Sequence, residues 1–267
     1  MRHMAIPQSK DQEAKQLLAQ RELSRRRLLP FIMSFEPDYL AGWVHKDICS
    51  RLEKFTQDIL DKKSPRLMLS MPPRHGKSLI ASTYFPAWFL GRFPELEVIA
   101  TSYSSSLASK FSRSVRHLFR EPQFHKVFPS ASLDRDAQNI ENWFTTRGGS
   151  YTAAGVGGGI TGRGADCLII DDPIKNAEDA ESDLFRDNLF EWFQSTAYTR
   201  LSPGGGIIII QTRWHHDDLA GRLEELSSNK GGDTYVNIKY PAIATSDERY
   251  RPKVESLHKE RYPDSAL

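Results

Sequence analysis

The chain alternates between short, nearly unbroken apolar runs and longer stretches with apolar residues at helical spacing. Residues 66–71 (RLMLSM), 97–103 (EVIATSY), 167–171 (CLIID) and 206–212 (GIIIIQT) are the strongest runs, and 235–240 (YVNIKY) is a fifth. Continuous Val/Ile/Leu runs of this length predict strands buried on both faces, hence a parallel sheet covered by helices on either side. Residues 43–60 carry Trp43, Ile48, Leu52, Phe55 and Ile59 at helical spacing. Residues 104–119 place Leu107, Phe111, Val115 and Leu118 on one helical face, and residues 79–85 continue as a helix from the turn before them. Residues 11–29 predict one amphipathic helix with Leu17, Leu18, Leu28 and Leu29, its basic triplet Arg25, Arg26 and Arg27 reading as a solvated face. Residues 140–155 alternate around Gly148 and Gly149, as a hairpin does.

Six glycines among residues 155–164 exclude a regular element and predict a loop that is mobile or passes close to other backbone. Beyond residue 243 the chain turns polar, contains proline and loses its periodicity. These changes divide it into an N-terminal helical extension (1–42), an α/β domain (43–243) and a linker or tail (244–267). There is no internal repeat.

Composition narrows the function classes only slightly. The 267 residues suffice for one large domain with appendages, and 39% hydrophobic with 26% charged residues is ordinary globular usage. A net charge of +2 means that any nucleic-acid surface must be a local patch. Cys49 and Cys167 lack metal spacing and read as reduced thiols. No run of about 18 apolar residues and no signal-peptide core is present, so a soluble protein without a membrane partner is expected.

The chemistry gathers where the strands end. Residues 71–78 (MPPRHGKS) lie between a strand and a helix, with Met71 where G-x-x-x-x-G-K-S has its first glycine. A turn ending in Gly76, Lys77 and Ser78 is a phosphate-binding loop. Backbone N–H groups at the helix start face the phosphates, Lys77 adds a point charge, and the Ser78 hydroxyl is a Mg²⁺ ligand. The run 167–171 ends in Asp171 and Asp172. An acid after four apolar residues is a Walker B pattern, with Asp171 holding Mg²⁺ and the next residue activating water. Asp172 is one methylene shorter than the usual glutamate, which leaves Glu178 as the alternative base; a helix cap before Pro173 is the blander reading. Gln211 and Thr212, at the end of another strand, are placed to contact the γ-phosphate or its water. His215, His216, Asp217 and Asp218 diverge as neighbours in sequence and do not make a metal site.

Together, residues 72–78 (PPRHGKS), 168–175 (LIIDDPIK) and 211–223 (QTRWHHDDLAGRL) resemble the ATPase domain of the large terminase subunits of tailed bacteriophages and prophages. Residues 101–104 (TSYS), Leu107, Ala108 and 111–116 (FSRSVR) extend the match, so the resemblance covers residues 43–243. It implies an ASCE-type, RecA-like P-loop fold in which another strand separates those of Walker A and Walker B. It also implies an ATP- and Mg²⁺-dependent motor that moves double-stranded DNA into a procapsid. That motor would act as a ring of five subunits on the portal protein, with a small terminase subunit, in the cytoplasm of the bacterial host. The chain ends before a nuclease domain could fit, so no DNA cleavage is expected of it. A P-loop helicase or another DNA-remodelling ATPase is the alternative.

The resemblance assigns further residues. Arg74 matches the arginine of the family's Walker A and would act as a cis sensor or finger, with His75 beside it in the nucleotide-binding loop. Arg116 is the candidate trans finger, against an ordinary surface charge. His45 is placed near the adenine, against a core histidine. Arg163, in the glycine-rich loop, is the candidate DNA contact, against a simple linker.

Overall fold

In the computed structural model, which describes residues 10–160, 162–229 and 232–263, one sheet organises the chain. Its strands are β1 (Arg66–Ser70), β2 (Glu97–Ser102), β3 (Leu133–Gln138), β4 (Asn142–Thr145), β5 (Ser150–Gly155), β6 (Ala165–Asp171), β7 (Leu201–Gln211) and β8 (Val236–Lys239). They lie in the order β3-β4-β5-β2-β6-β7-β1-β8. From β5 to β8 every pairing is parallel, and β3 and β4 add an antiparallel edge. β7 therefore lies between β1 and β6, as the resemblance requires.

The apolar runs are unbroken because the sheet has two covered faces. Leu67, Leu69, Cys167, Ile169, Ile208 and Ile210 enter one core. Met68, Leu168, Ile170, Ile207 and Ile209 enter the other. The first core is covered by α2 (Leu28–Phe35), α3 (Trp43–Leu60), the π-wound turn Leu79–Tyr84 with α4 (Phe85–Arg92), α5 (Ser105–Arg120) and α6 (Pro122–Val127). The second is covered by α7 (Ala177–Glu181), α8 (Asp183–Trp192) and α9 (Leu219–Ser228).

Three local readings change. The helix expected over residues 11–29 is two, α1 (Lys10–Arg26) and α2, separated by an extended Arg27 (φ −127°, ψ 133°). Pro30 is the cause: inside one long helix it would remove a backbone bond, whereas starting afresh at Leu28 puts it in a first turn, where no N–H is needed. The Leu28 N–H is instead taken by Glu53 (2.7 Å). β7 begins five residues before Gly206, because Leu201 pairs with Ala165 ahead of a register irregularity. On α5 the buried face is Ala108, Ser112, Val115, Leu118 and Phe119 rather than one centred on Leu107 and Phe111. Ser112 is buried because its hydroxyl accepts from the Trp143 indole (3.0 Å), whose ring stacks on Tyr151 at 5.1 Å.

Residues 140–155 do form a hairpin, β4–β5. Residues 244–263 are irregular but packed: Arg251, Leu257 and His258 are buried, and the Arg251 guanidinium donates to the carbonyls of Pro241, Ala242 and Glu255. Among the described residues no helix is long and apolar enough to cross a membrane.

Candidate active site

The carboxyl ends of β1, β7 and β6 open on one crevice. Past Ser70 the ladder continues for one rung, Met71 N–H to Gln211 O (3.2 Å), and the chain then leaves as the loop that ends in Gly76, Lys77 and Ser78. Two left-handed residues shape it, Arg74 (φ 64°) and Gly76 (φ 84°). Gly76 is needed twice over, since a Cβ there would also meet the Tyr39 hydroxyl at 3.2 Å and the His45 ring at 3.4 Å. Ile80 N–H to Gly76 O (3.0 Å) begins the helix.

His45 lies beneath this loop, 2% exposed. Gly42 N–H donates to its Nδ1 (3.0 Å), so the proton sits on Nε2, which donates to the His75 carbonyl (3.1 Å). Both ring nitrogens are thus committed to backbone; this histidine supports the loop rather than offering an edge to a base. Burial, reinforced by the adjacent His258, lowers its pKa to about 4. A depressed histidine contributes stability above its unfolded pKa, near 6.5, and loses it as pH falls toward the folded value. Asp171, whose pKa is raised, acts with the opposite sign over this window, so the difference between variants is the useful quantity. The stability advantage of wild type over His45→Gln is expected to shrink by about 2–3 kcal/mol between pH 7.5 and 4.5 in urea titrations. A pH-independent difference would refute this.

Asp171, 1% exposed at the end of β6, accepts from two hydroxyls, Ser78 (3.0 Å) and Ser82 (2.6 Å). Desolvation, then the neighbouring Asp172 charge, raises its pKa to about 7. Asp172 is itself left-handed (φ 43°), held by Asp172 N–H to Ile210 O (2.8 Å) and Tyr103 N–H to Asp172 O (3.2 Å). Its carboxylate accepts from Thr212 N–H (2.8 Å) and pairs with the Lys77 ammonium (2.9 Å). Lys77 also donates to the Thr212 hydroxyl (2.8 Å). One lysine, one threonine and one carboxylate from three chain segments thus close a triangle. Beside it, the Ser78 hydroxyl and Asp171 carboxylate form an oxygen-only donor pair suited to a hard cation such as Mg²⁺.

Thr212 reaches this triangle, but the Gln211 side chain does not. It shares the sheet face of Ile207 and Ile209, and its amide donates to buried Asp218 (2.9 Å). Asp218 also accepts from Arg213 (2.7 Å) and caps α9 through Gly221 N–H (3.0 Å). In the sequence Asp218 closes the cluster His215, His216, Asp217 and Asp218, and its place before the apolar positions of α9 is the capping signal. Gly221 has no room for a side chain, since a Cβ would lie 1.8 Å from the His216 carbonyl oxygen. Gly221→Ala is expected to cost about 1–3 kcal/mol in urea unfolding, and a change within error would show that the loop yields freely.

The remaining sequence candidates stand apart from the triangle. Arg74 is exposed on the loop, and the Tyr262 hydroxyl donates to its carbonyl (3.4 Å). His75 is buried, its Nδ1 donating to the Pro73 carbonyl (2.9 Å) and its ring 4.8 Å from that of Tyr262. The His258 ring meets His45 at 4.7 Å. No periodicity marked the tail residues as neighbours of the loop. Arg116, far along α5 from the crevice, donates to the Asn139 carbonyl (3.1 Å). Arg163 is exposed, with its guanidinium 5.8 Å from the Phe144 ring centre. Glu178 is exposed in the first turn of α7. Among the described residues no group of three or more His, Cys, Asp or Glu is placed to hold a metal ion.

A family model described as "Terminase large subunit, T4likevirus-type, N-terminal" matches residues 68–262, well over half of the chain. Solved structures with similarity include the large terminase of bacteriophage HK97, at 14% identity and a TM-score of 0.47, covering 81% of this chain and 43% of that one. The large terminase of a thermophilic bacteriophage matches at 13% identity and a TM-score of 0.42, covering 78% and 48%. A complex of that terminase with ADP matches at 11% and 0.40, covering 70% and 44%. This chain therefore spans less than half the length of each of these proteins. No curated protein sequence matches it.

Proposed function

We propose, from the premise that this chain belongs to the terminase large subunit family, that it is an ATP-hydrolysing motor domain driving double-stranded DNA into a procapsid. The observation that carries the reading is the convergence of Lys77, Thr212 and Asp172, beside Ser78 and Asp171, at the carboxyl edge of a parallel sheet.

In this reading Ser78 and Asp171 would hold Mg²⁺, whose chemistry when bound would be to neutralise phosphate charge. Backbone N–H groups of residues 74–78 cradle the phosphates. Lys77 meets the β- and γ-phosphates, and that contact draws it from Asp172, with which it pairs at 2.9 Å. Asp172, freed, accepts a proton from the attacking water, while Thr212 N–H keeps its other oxygen in place. Arg74, on the loop itself, stabilises charge on the γ-phosphoryl oxygens in cis. Arg116 would reach a neighbour's nucleotide in a ring, the form in which the domain would work on a portal with a small terminase subunit. Arg163 would touch DNA phosphates, without base readout.

ATP turnover by the chain is expected to rise on adding double-stranded DNA of any sequence, and the stimulation to fall steeply with salt. Turnover indifferent to DNA would leave an ATPase but remove the motor. Strand separation of a duplex would favour the helicase alternative.

A further inference from the structure

Ser82 places a hydroxyl against Asp171 that no motif accounts for. It lies four residues after Ser78, on the π-wound turn Leu79–Tyr84, whose widening is marked by Phe85 N–H bonding to the Ile80 carbonyl. Such turns recur at functional sites because they re-aim the side chains they carry. Its neighbours Ile80, Ala81, Tyr84 and Phe85 are all buried in the larger core, and Ser82 itself is 1% exposed. A hydroxyl is poorly placed in such a core unless it has a fixed acceptor. That acceptor is Asp171 Oδ2, at 2.6 Å.

The two oxygens of Asp171 are thus held by one helix at two depths. Ser78 meets Oδ1 from the partly exposed loop end, and Ser82 meets Oδ2 from within the core. A carboxylate turns easily about its last torsion, so a single partner would leave its plane loosely set. Ser78 is the hydroxyl expected to turn to a cation, and Ser82 keeps Asp171 Oδ2 as its acceptor. We propose that Ser82 is a positioning residue: it anchors one oxygen of Asp171 in the core so that the other is presented, at a fixed angle, to a nucleotide-bound Mg²⁺. This rests on the nucleotide-site reading above. It also explains the use of serine at a helix position that packing alone would give to alanine.

The test uses the whole chain and a fluorescent ADP analogue, with binding measured in excess Mg²⁺ and in EDTA. In Ser82→Ala, affinity in EDTA should match wild type, while the gain conferred by Mg²⁺ should fall by about 10-fold. Half-saturation by Mg²⁺ should rise in step, and ATP turnover should lose kcat more than KM. Ser82→Cys, of similar size but with a weaker donor, should fall between the two and serves if the alanine variant does not fold. An unchanged Mg²⁺ gain, or an equal loss of affinity in Mg²⁺ and in EDTA, overturns the proposal. Wild-type chain that binds the analogue under neither condition overturns the nucleotide site and the role of Ser82 with it. Normal wild-type binding with an indifferent variant removes Ser82 alone.

Discussion

Lys77→Ala is expected to lower ATP turnover by about 10³-fold, because it removes the only ammonium in the Lys77–Thr212–Asp172 triangle. Loss of a fixed positive charge at a phosphate that gains charge during the reaction is felt mostly in kcat. The fold should survive, since Asp172 keeps Thr212 N–H and its side chain is 26% exposed to water. Asp172→Asn makes the informative comparison. It should also lose turnover, yet bind ATP as well as wild type or better, because the ligand no longer competes with a carboxylate for Lys77. Single-turnover hydrolysis and equilibrium binding separate the two effects. Turnover within tenfold of wild type in Lys77→Ala would mean that this lysine does not serve the triphosphate.

Asp218→Ala is expected to be the most destabilising substitution near the site, at about 3–5 kcal/mol. Three partners depend on one carboxylate that is 1% exposed: Gln211, Arg213 and the first turn of α9. Removal leaves a buried amide, a largely covered guanidinium and an uncapped helix together. Burial, the largest influence, raises the Asp218 pKa despite these donors, so they offset only part of the cost of burying the carboxylate. Asp218→Asn, which keeps a cap acceptor, should lose less than half as much. Urea unfolding of both variants is the measurement; a loss below about 1 kcal/mol in the alanine variant would show that the cluster relaxes onto water. Since Thr212 follows Gln211 directly, the same variant should also lower kcat.

Both predictions rest on residues of unequal legibility. Lys77, Ser78, Asp171 and Asp172 could be read directly, since the chemistry of a strand, a glycine turn and a paired acid is local. The strand order was foreseen only through the family resemblance. Gln211 shows the limit. Its parity with Ile207 and Ile209 was visible, but which sheet face carries α9 and which carries the phosphate-loop helix was not. Sequence placed it beside the γ-phosphate; the structure turns it to Asp218. Ser82 and Asp171 lie 89 positions apart, and neither residue names the other.

Local physics thus wrote the parallel sheet, the glycine turn before Lys77 and the acid pair Asp171 and Asp172 into the chain, because backbone preference and hydrophobic period act over a few residues. Burial, by contrast, depends on what arrives from elsewhere. Only the assembled fold decided that His45 underpins the loop, that residues 244–263 pack beside it, and that Lys77 is paired with Asp172. Each of these is a contact between polar groups far apart in sequence, made favourable by the same exclusion of water that no single segment can provide.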